Sequence, residues 1–193
     1  MARIPVRRSR WRLAVAVALA GTAAAPAGAS PPPYTYRATT RVDGTALPQP
    51  TATGGWTAPG KNTAVLDVTV ANAAPAQTSI EASWTSPLAR SRGRCFGQLA
   101  TAYRHDAQTP PGGHVTNTVR YRVDGGRWSR WFVVGEEDFE IPPLGMGVEH
   151  GLEDDCVLLF DRAPRRPLQL ELRHVIRFDG TLRGRDELTV SVP

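Results

Sequence analysis

Leu168-Gln-Leu-Glu-Leu-Arg-His-Val-Ile-Arg-Phe178 is the stretch of the sequence that decides the fold. Its side chains alternate in character: one face carries Leu168, Leu170, Leu172, His174, Ile176 and Phe178, and the other carries Gln169, Glu171, Arg173 and Arg177. A period of two residues is that of a β-strand with one buried face. The stretch therefore predicts a long strand whose apolar face lies in a core.

Similar alternation recurs along the chain, in the ranges 34–39, 64–70, 79–84, 115–123 and 188–192, while 156–160 is a short apolar run. We count about eight strand candidates separated by turn residues. Strands with one polar and one apolar face favour antiparallel sheets. The sequence therefore predicts an all-β, two-sheet antiparallel sandwich, with a barrel as the alternative. Residues 48–60 are interpreted as a Pro/Gly/Thr-rich connection, and a short helix over 96–103 stays open.

Residues 1–29 have the pattern of a secretory signal peptide. Five arginines and no acid precede the apolar run Leu13–Ala20, and small residues end at Ala27-Gly28-Ala29. The apolar run is far shorter than the roughly 20 residues of a membrane-spanning helix. We expect cleavage after Ala29, a secreted protein without a membrane span, and one domain over residues 30–193. The arginine- and alanine-rich composition is typical of a bacterial protein.

Charge is balanced over the expected mature chain but segregated along it. The net charge of +5 comes from the arginines of residues 1–29, so the composition predicts no nucleic-acid partner. The range 90–130 holds eight arginines, whereas the range 136–161 holds nine acids and no basic residue. These runs are interpreted as mutually neutralising surfaces, with a calcium site or a charged recognition surface as alternatives. The order of acids in known calcium loops is absent, so no metal or cofactor is predicted.

The two cysteines, Cys95 and Cys156, are expected to form a disulfide. An even number of cysteines in an exported chain usually pairs. The alternative, a reactive or metal-binding pair, has less support from the sequence.

Tyr121-Arg-Val-Asp-Gly-Gly-Arg-Trp128 is similar to a hairpin of bacterial immunoglobulin-like and fibronectin type III-like domains. Trp128-Ser-Arg-Trp131 also resembles part of the Trp-Ser-x-Trp-Ser motif of cytokine-receptor fibronectin domains, with Phe132 in place of the last serine. The resemblance implies a β-sandwich and no particular ligand. Asp-Gly also occurs within 41–45 and 177–181, where we expect the same tight turn.

A two-residue turn at Gly125-Gly126 predicts which hairpin side chains face the core. It places Val123 opposite Trp128 and Val119 opposite Phe132, both on the core side. Trp131 then lies on the outer face near Arg120 and Arg122, either as an Arg/Trp ladder that stiffens the sheet or as an aromatic platform for a ligand. The candidate binding residues are Trp131, Arg120, Arg122 and Trp56.

No catalytic residue is predicted. His174 is expected to be a hydrogen-bonded core histidine, with a catalytic or pH-sensing role as the alternative. His105 and His114 flank a predicted loop, 108–113, and with Asp106 and a serine could form a triad, but no Gly-x-Ser-x-Gly turn is present. The sequence favours a non-catalytic binding or interaction protein whose partner is an extracellular protein or glycan. The alternatives are a small extracellular hydrolase and a protease inhibitor that presents the segment Pro110–Gly113.

Overall fold

The computed structural model describes residues 2–3, 34–42, 45–46, 51–60, 62–140 and 148–193. The predicted signal peptide lies outside these ranges except for Ala2 and Arg3, and the single-domain prediction stays a prediction. Within the described residues the strands are β1 (Ala2–Arg3), β2 (Tyr34–Val42), β3 (Thr45–Ala46), β4 (Thr51–Gly60), β5 (Thr63–Thr85), β6 (Cys95–Val123), β7 (Phe132–Glu140), β8 (Val148–Phe160) and β9 (Leu168–Ser191). The described strand pairs are antiparallel, and β1 pairs with Leu159 and Phe160 of β8.

Three long strands, β5, β9 and β6, lie side by side with β9 in the middle. Each is interrupted halfway: the pairing changes register after Ala71 in β5, after His105 in β6 and before Thr181 in β9. These three interruptions lie side by side and divide each long strand into two halves, and the halves form two sheets. Strands that pass from one sheet to the other at such irregularities form the corners of a sandwich.

The first sheet has the order β4, β5, β9, β6 and β8, built from residues 63–71, 183–191 and 98–105 of the long strands. The second sheet has the order β2, β5, β9, β6 and β7, built from residues 76–85, 168–178 and 112–123.

Contacts between the sheets show that they face each other. One buried cluster contains Leu66 and Val190 of the first sheet together with Trp84 and Leu172 of the second. The Tyr121 ring of the second sheet lies 5.6 Å from the Phe160 ring of the first. The predicted all-β, two-sheet antiparallel sandwich is confirmed.

The alternation over 168–178 is also confirmed, because its six core-face side chains are at most 1% exposed. Burying each leucine or phenylalanine contributes about 1.5–3 kcal/mol. At the corner, the Phe178 ring lies against Gly184, where a Cβ would stand only 2.9 Å from Cδ2 of that ring. Gly184 therefore lets β9 turn from one sheet into the other under an aromatic ring.

Four local predictions are wrong. Residues 96–103 belong to strand β6 rather than to a helix, and most of the predicted connection 48–60 is strand β4. The predicted loop 108–113 lies within β6, where Gly112 and Gly113 pair with β7 on one side and β9 on the other. The Asp-Gly of 177–181 lies inside β9 at the corner instead of in a hairpin turn.

The disulfide prediction is confirmed. Cys95 and Cys156 are bonded, with their Cα atoms 5.7 Å apart, and the bond joins β6 to β8 in the first sheet. None of the described residues forms a helix long and apolar enough to cross a membrane.

Candidate functional site: an arginine–tryptophan ladder on the outer face of the second sheet

The hairpin that follows β6 turns at Asp124-Gly125, one residue earlier than predicted. The Gly126 amide donates to the Val123 carbonyl over 2.8 Å, and Asp124 and Gly125 have φ angles of 51° and 69°. Two consecutive positive φ angles define a type I′ turn, which suits Asp-Gly and matches the twist of the flanking strands. Val123 consequently lies at the rim of the sheet and is 38% exposed, so its predicted core position is wrong.

Ser129 sets the return path of the chain after this turn. Its amide donates to the Tyr121 carbonyl over 2.8 Å, and its Oγ accepts from the Tyr121 amide over 3.0 Å. The Ser129 hydroxyl thus takes the place of a strand carbonyl, and the regular pairing of β7 begins only at Phe132, opposite Val119. Trp128 consequently lies on the outer face with Trp131, and its predicted core position is wrong.

The two indoles and three arginines form a continuous stack, which we call the Arg–Trp ladder. The Arg120 guanidinium lies 4.9 Å from the Trp128 ring centroid and 4.7 Å from that of Trp131. Arg122 lies over Trp128 at 4.7 Å, and Arg173 lies over Trp131 at 4.7 Å. The order along the stack is Arg122, Trp128, Arg120, Trp131, Arg173, so each indole lies between two guanidinium groups.

The pairing of β6 with β9 explains this order. Arg122 lies opposite Gln169, Arg120 opposite Glu171, and Arg173 opposite Thr118. The three arginines therefore occupy successive rows of one sheet face, and rows are about 7 Å apart because a strand advances roughly 3.4 Å per residue. That spacing admits one planar ring between two planar guanidinium groups.

Side-chain hydrogen bonds hold two of the arginines in place. Arg120 Nε donates to Glu171 Oε2 over 2.5 Å, and Arg122 Nε donates to Gln169 Oε1 over 2.7 Å. Each arginine–indole contact contributes about 0.5–1 kcal/mol at an exposed site. The ladder thus stiffens the outer face of the second sheet.

The candidate residue Trp56 lies on another part of the molecule. It is on β4 of the first sheet, opposite Leu66, and its half-buried ring packs against the core. The structure thus brings Trp131, Arg120 and Arg122 together but leaves Trp56 apart from them.

The residues that the sequence reasoning missed are Trp128 and Arg173. The polar face of the stretch 168–178 contains Arg173, so strand alternation alone could have placed it on the outer face. The position of Trp128 depends on the Ser129 hydroxyl and has no signal in the periodicity.

His174 is the buried core histidine that the sequence predicts. Both His174 and Asp186 are 0% exposed, and Nε2 of the ring lies 2.9 Å from the Asp186 carboxylate. Nδ1 lies 2.7 Å from Oδ1 of Asn117. Both ring nitrogens thus lie within hydrogen-bond distance of a side-chain oxygen. Because Asn117, His174 and Asp186 are all 0% exposed, a substrate cannot reach them in this structure.

Tyr103 extends the buried polar region. Its hydroxyl donates to Glu137 Oε2 over 3.2 Å. In the first sheet, Tyr103 on β6 is the backbone register partner of Asp186 on β9. Burial, followed by the negative charge and the hydrogen bond of Glu137, raises the pKa of the Tyr103 hydroxyl above its ordinary value. The hydroxyl is therefore a fixed donor between the sheets.

His114 has partners other than those considered for a triad. Its Nδ1 lies 2.7 Å from Asp138, its Nε2 lies 2.8 Å from Thr116, and Glu136 is 3.5 Å away. The side chains of His105 and Asp106 lie outside those that the structure describes. Among the described residues no group of three or more histidines, cysteines or carboxylates is arranged to hold a metal ion. The side chains of residues 149–155, which are part of the acidic run, lie outside those that the structure describes.

No protein-family model and no curated protein matches this sequence. Solved structures similar to the chain include TmCBM61 in complex with β-1,4-galactotriose, at 10% identity and a TM-score of 0.32, covering 74% of this chain and 88% of that one. Another is a structure described for the promiscuous specificity of carbohydrate-binding modules of the β-sandwich superfamily, at 12% identity and a TM-score of 0.32, covering 80% of this chain. This chain spans 58% of that one.

A further similar structure is the family 11 carbohydrate-binding module from Clostridium thermocellum in complex with a β-1,3-1,4-mixed-linked tetrasaccharide. The identity is 6% and the TM-score 0.29, with 82% of this chain and 88% of that chain covered. The description of this chain as a β-sandwich depends on its own strand pairing and core.

Proposed function

We propose that this protein is a secreted, non-catalytic binding module that contacts an extracellular glycan or protein through the outer face of its second sheet. The observation that carries the proposal is the Arg–Trp ladder, five planar groups held at fixed spacing on a solvent-facing surface. Groups ordered before binding lose little conformational entropy when a ligand arrives.

The ladder restricts how a ligand can bind. Each indole has a guanidinium on both sides, so its ring faces are already covered. The groups open to a ligand are guanidinium N–H donors and the edges of the rings. Guanidinium groups bind carboxylate, sulfate or hydroxyl oxygens in planar geometry. A ligand with oxygen acceptors about 7 Å apart matches the spacing of the arginine rows.

Two other observations support the proposal. The Cys95–Cys156 disulfide is expected in an oxidising compartment, which fits secretion. The His174–Asp186 pair, which a hydrolase could have used, is sealed in the core. The immunoglobulin-like or fibronectin-like subclass stays a prediction from the resemblance of the 121–128 hairpin.

The experiment is a binding screen of the exported protein against arrays of glycans and extracellular proteins, followed by affinity measurement with two variants. Trp131→Ala removes the ring between Arg120 and Arg173, and we expect it to weaken binding at least tenfold. Arg183→Ala, an exposed arginine at the sandwich corner, is the control and should bind as the unaltered protein does. A ligand bound equally by all three proteins would contradict the proposal.

A further inference from the structure

One end of the sandwich gathers three loops, 86–94, 124–131 and 161–167, and we call it the open end. The loops contact one another: Ala89 and Leu168 exchange two backbone hydrogen bonds of 2.8 and 2.7 Å, and the Asp124 amide donates to the Pro167 carbonyl over 3.0 Å. Arg94 Nε also donates to the Phe160 carbonyl over 3.0 Å. The open end is therefore one continuous surface.

This surface carries a strong excess of positive charge. The three loops contain eight arginines and two acids, Asp124 and Asp161, and all ten residues are exposed. The arginines are Arg90, Arg92, Arg94, Arg127, Arg130, Arg162, Arg165 and Arg166. Arg166 Nε lies 3.8 Å from the carboxylate of Asp124. So many like charges on one surface favour an anionic partner.

An apolar groove of about 270 Å³ opens among these arginines. Its walls include the edge-on pair of Tyr121 and Phe160 and the rim residue Val123, and Arg165 and Arg166 border it. Leu88, also at the open end, is 52% exposed. An apolar depression surrounded by charged groups is the arrangement of a protein-binding hot spot, in which a buried anchor side chain supplies most of the affinity.

From these observations we propose that the open end is a second binding site, which takes an acidic protein segment whose single apolar side chain fills the groove. The arginines bind the carboxylates that flank the anchor. A sulfated or uronic glycan would use the arginines but not the apolar walls, so the groove favours a peptide. The groove is bordered by Arg165 and Arg166 of the loop 161–167, which are not members of the Arg–Trp ladder. The ladder indoles Trp128 and Trp131 lie in the neighbouring loop 124–131.

The test uses two fluorescent nine-residue peptides, one with eight glutamates around a central phenylalanine and one with glycine in its place, together with dextran sulfate. We expect the phenylalanine peptide to bind at least tenfold more tightly than the glycine peptide, since burying one such side chain contributes about 1.5–3 kcal/mol. We also expect binding to weaken as salt increases.

Arg165→Glu should lower the affinity for the phenylalanine peptide about tenfold. Arg183→Glu, the same charge change at the sandwich corner, should have little effect on that affinity. Equal binding of the two peptides with tighter binding of dextran sulfate would overturn the proposal in favour of a polyanion surface. Undetectable peptide binding, or equal losses in both variants, would also overturn it. Suppose that Arg165→Glu loses affinity for the phenylalanine peptide but still binds normally the ligand whose binding Trp131→Ala weakens. That result would support a second site that acts independently of the ladder.

Discussion

The imidazole of His174, on the second sheet, lies 2.9 Å from the carboxylate of Asp186, on the first, and both side chains are 0% exposed. The pair joins the two layers through a polar contact in an otherwise apolar core. Removing one partner of a buried hydrogen bond leaves the other polar group buried without its partner.

We therefore expect Asp186→Ala to lower the free energy of unfolding by about 1–3 kcal/mol. The double variant His174→Leu/Asp186→Leu should lose less free energy of unfolding than the two single leucine variants added together, since it leaves neither member of the pair buried without the other. Glu187→Ala is the control, because Glu187 forms only a partly exposed ion pair with Arg185, worth about 0–1 kcal/mol. Urea unfolding measures all five variants. A loss in Asp186→Ala no larger than that of the Glu187→Ala control would contradict a stabilising His174–Asp186 contact.

Tyr103 predicts a loss of stability in alkaline solution. Its pKa is raised in the folded state, so above the ordinary tyrosine pKa of about 10 the unfolded chain loses a proton that the folded chain keeps. The stabilising contribution is complete below that pH and is lost as pH rises beyond it, at up to about 1.4 kcal/mol per pH unit. Between pH 9 and 11 the unfolding free energy should fall more steeply for the unaltered protein than for Tyr103→Phe. Parallel curves would argue against the raised pKa.

Arg120 is the central guanidinium of the ladder, so its shape should matter more than its charge. Arg120→Lys keeps the charge but loses planar stacking on both indoles, and we expect a cost of about 1–2 kcal/mol. Arg127→Lys is the matched control, an exposed arginine for which no ring contact is found among the described residues, and should change stability by less than about 0.5 kcal/mol. Near-ultraviolet circular dichroism of the tryptophans should change only in Arg120→Lys.

The Asp124-Gly125 turn predicts a backbone effect without a steric one. A Cβ at Gly125 would meet no atom within 4 Å, but φ is +69° there. Gly125→Val should therefore destabilise the protein by about 1–2 kcal/mol through conformational strain alone. Gly93→Ala also meets no atom within 4 Å and has no positive φ, so thermal unfolding should be nearly unchanged. Similar melting temperatures for both variants would reject the type I′ turn.

The disulfide should contribute measurable stability. Cys95 and Cys156 are 61 positions apart, and closing a loop of that size gives about 4 kcal/mol in the chain-entropy model. Reduction should lower the melting temperature, and the double variant Cys95→Ala/Cys156→Ala should unfold at the same lower temperature with or without reductant. A thiol assay that finds two free thiols in the exported, unreduced protein would contradict the bond.

Strand periodicity predicted the sandwich because alternation is a local property that each segment carries by itself. It also placed His174 inside, since the residue sits on the apolar face of 168–178. It missed the full length of β6, because a Gly-rich segment such as Gly112-Gly113 becomes part of a strand only when neighbours on both sides pair with it. The corner at Gly184 likewise requires the Phe178 ring to be in place.

By itself, then, the sequence determined the all-β class, the core face of each clear strand, the disulfide and the proximity of Trp131 to Arg120, because these follow from period-two geometry, cysteine count and nearness along a hairpin. Only the tertiary structure decided that Asp186 meets His174, that Trp128 and Arg173 complete the ladder, and that three arginine-bearing loops meet at one end. Those contacts join residues distant in sequence, or depend on a single hydroxyl of Ser129, and no local pattern encodes them.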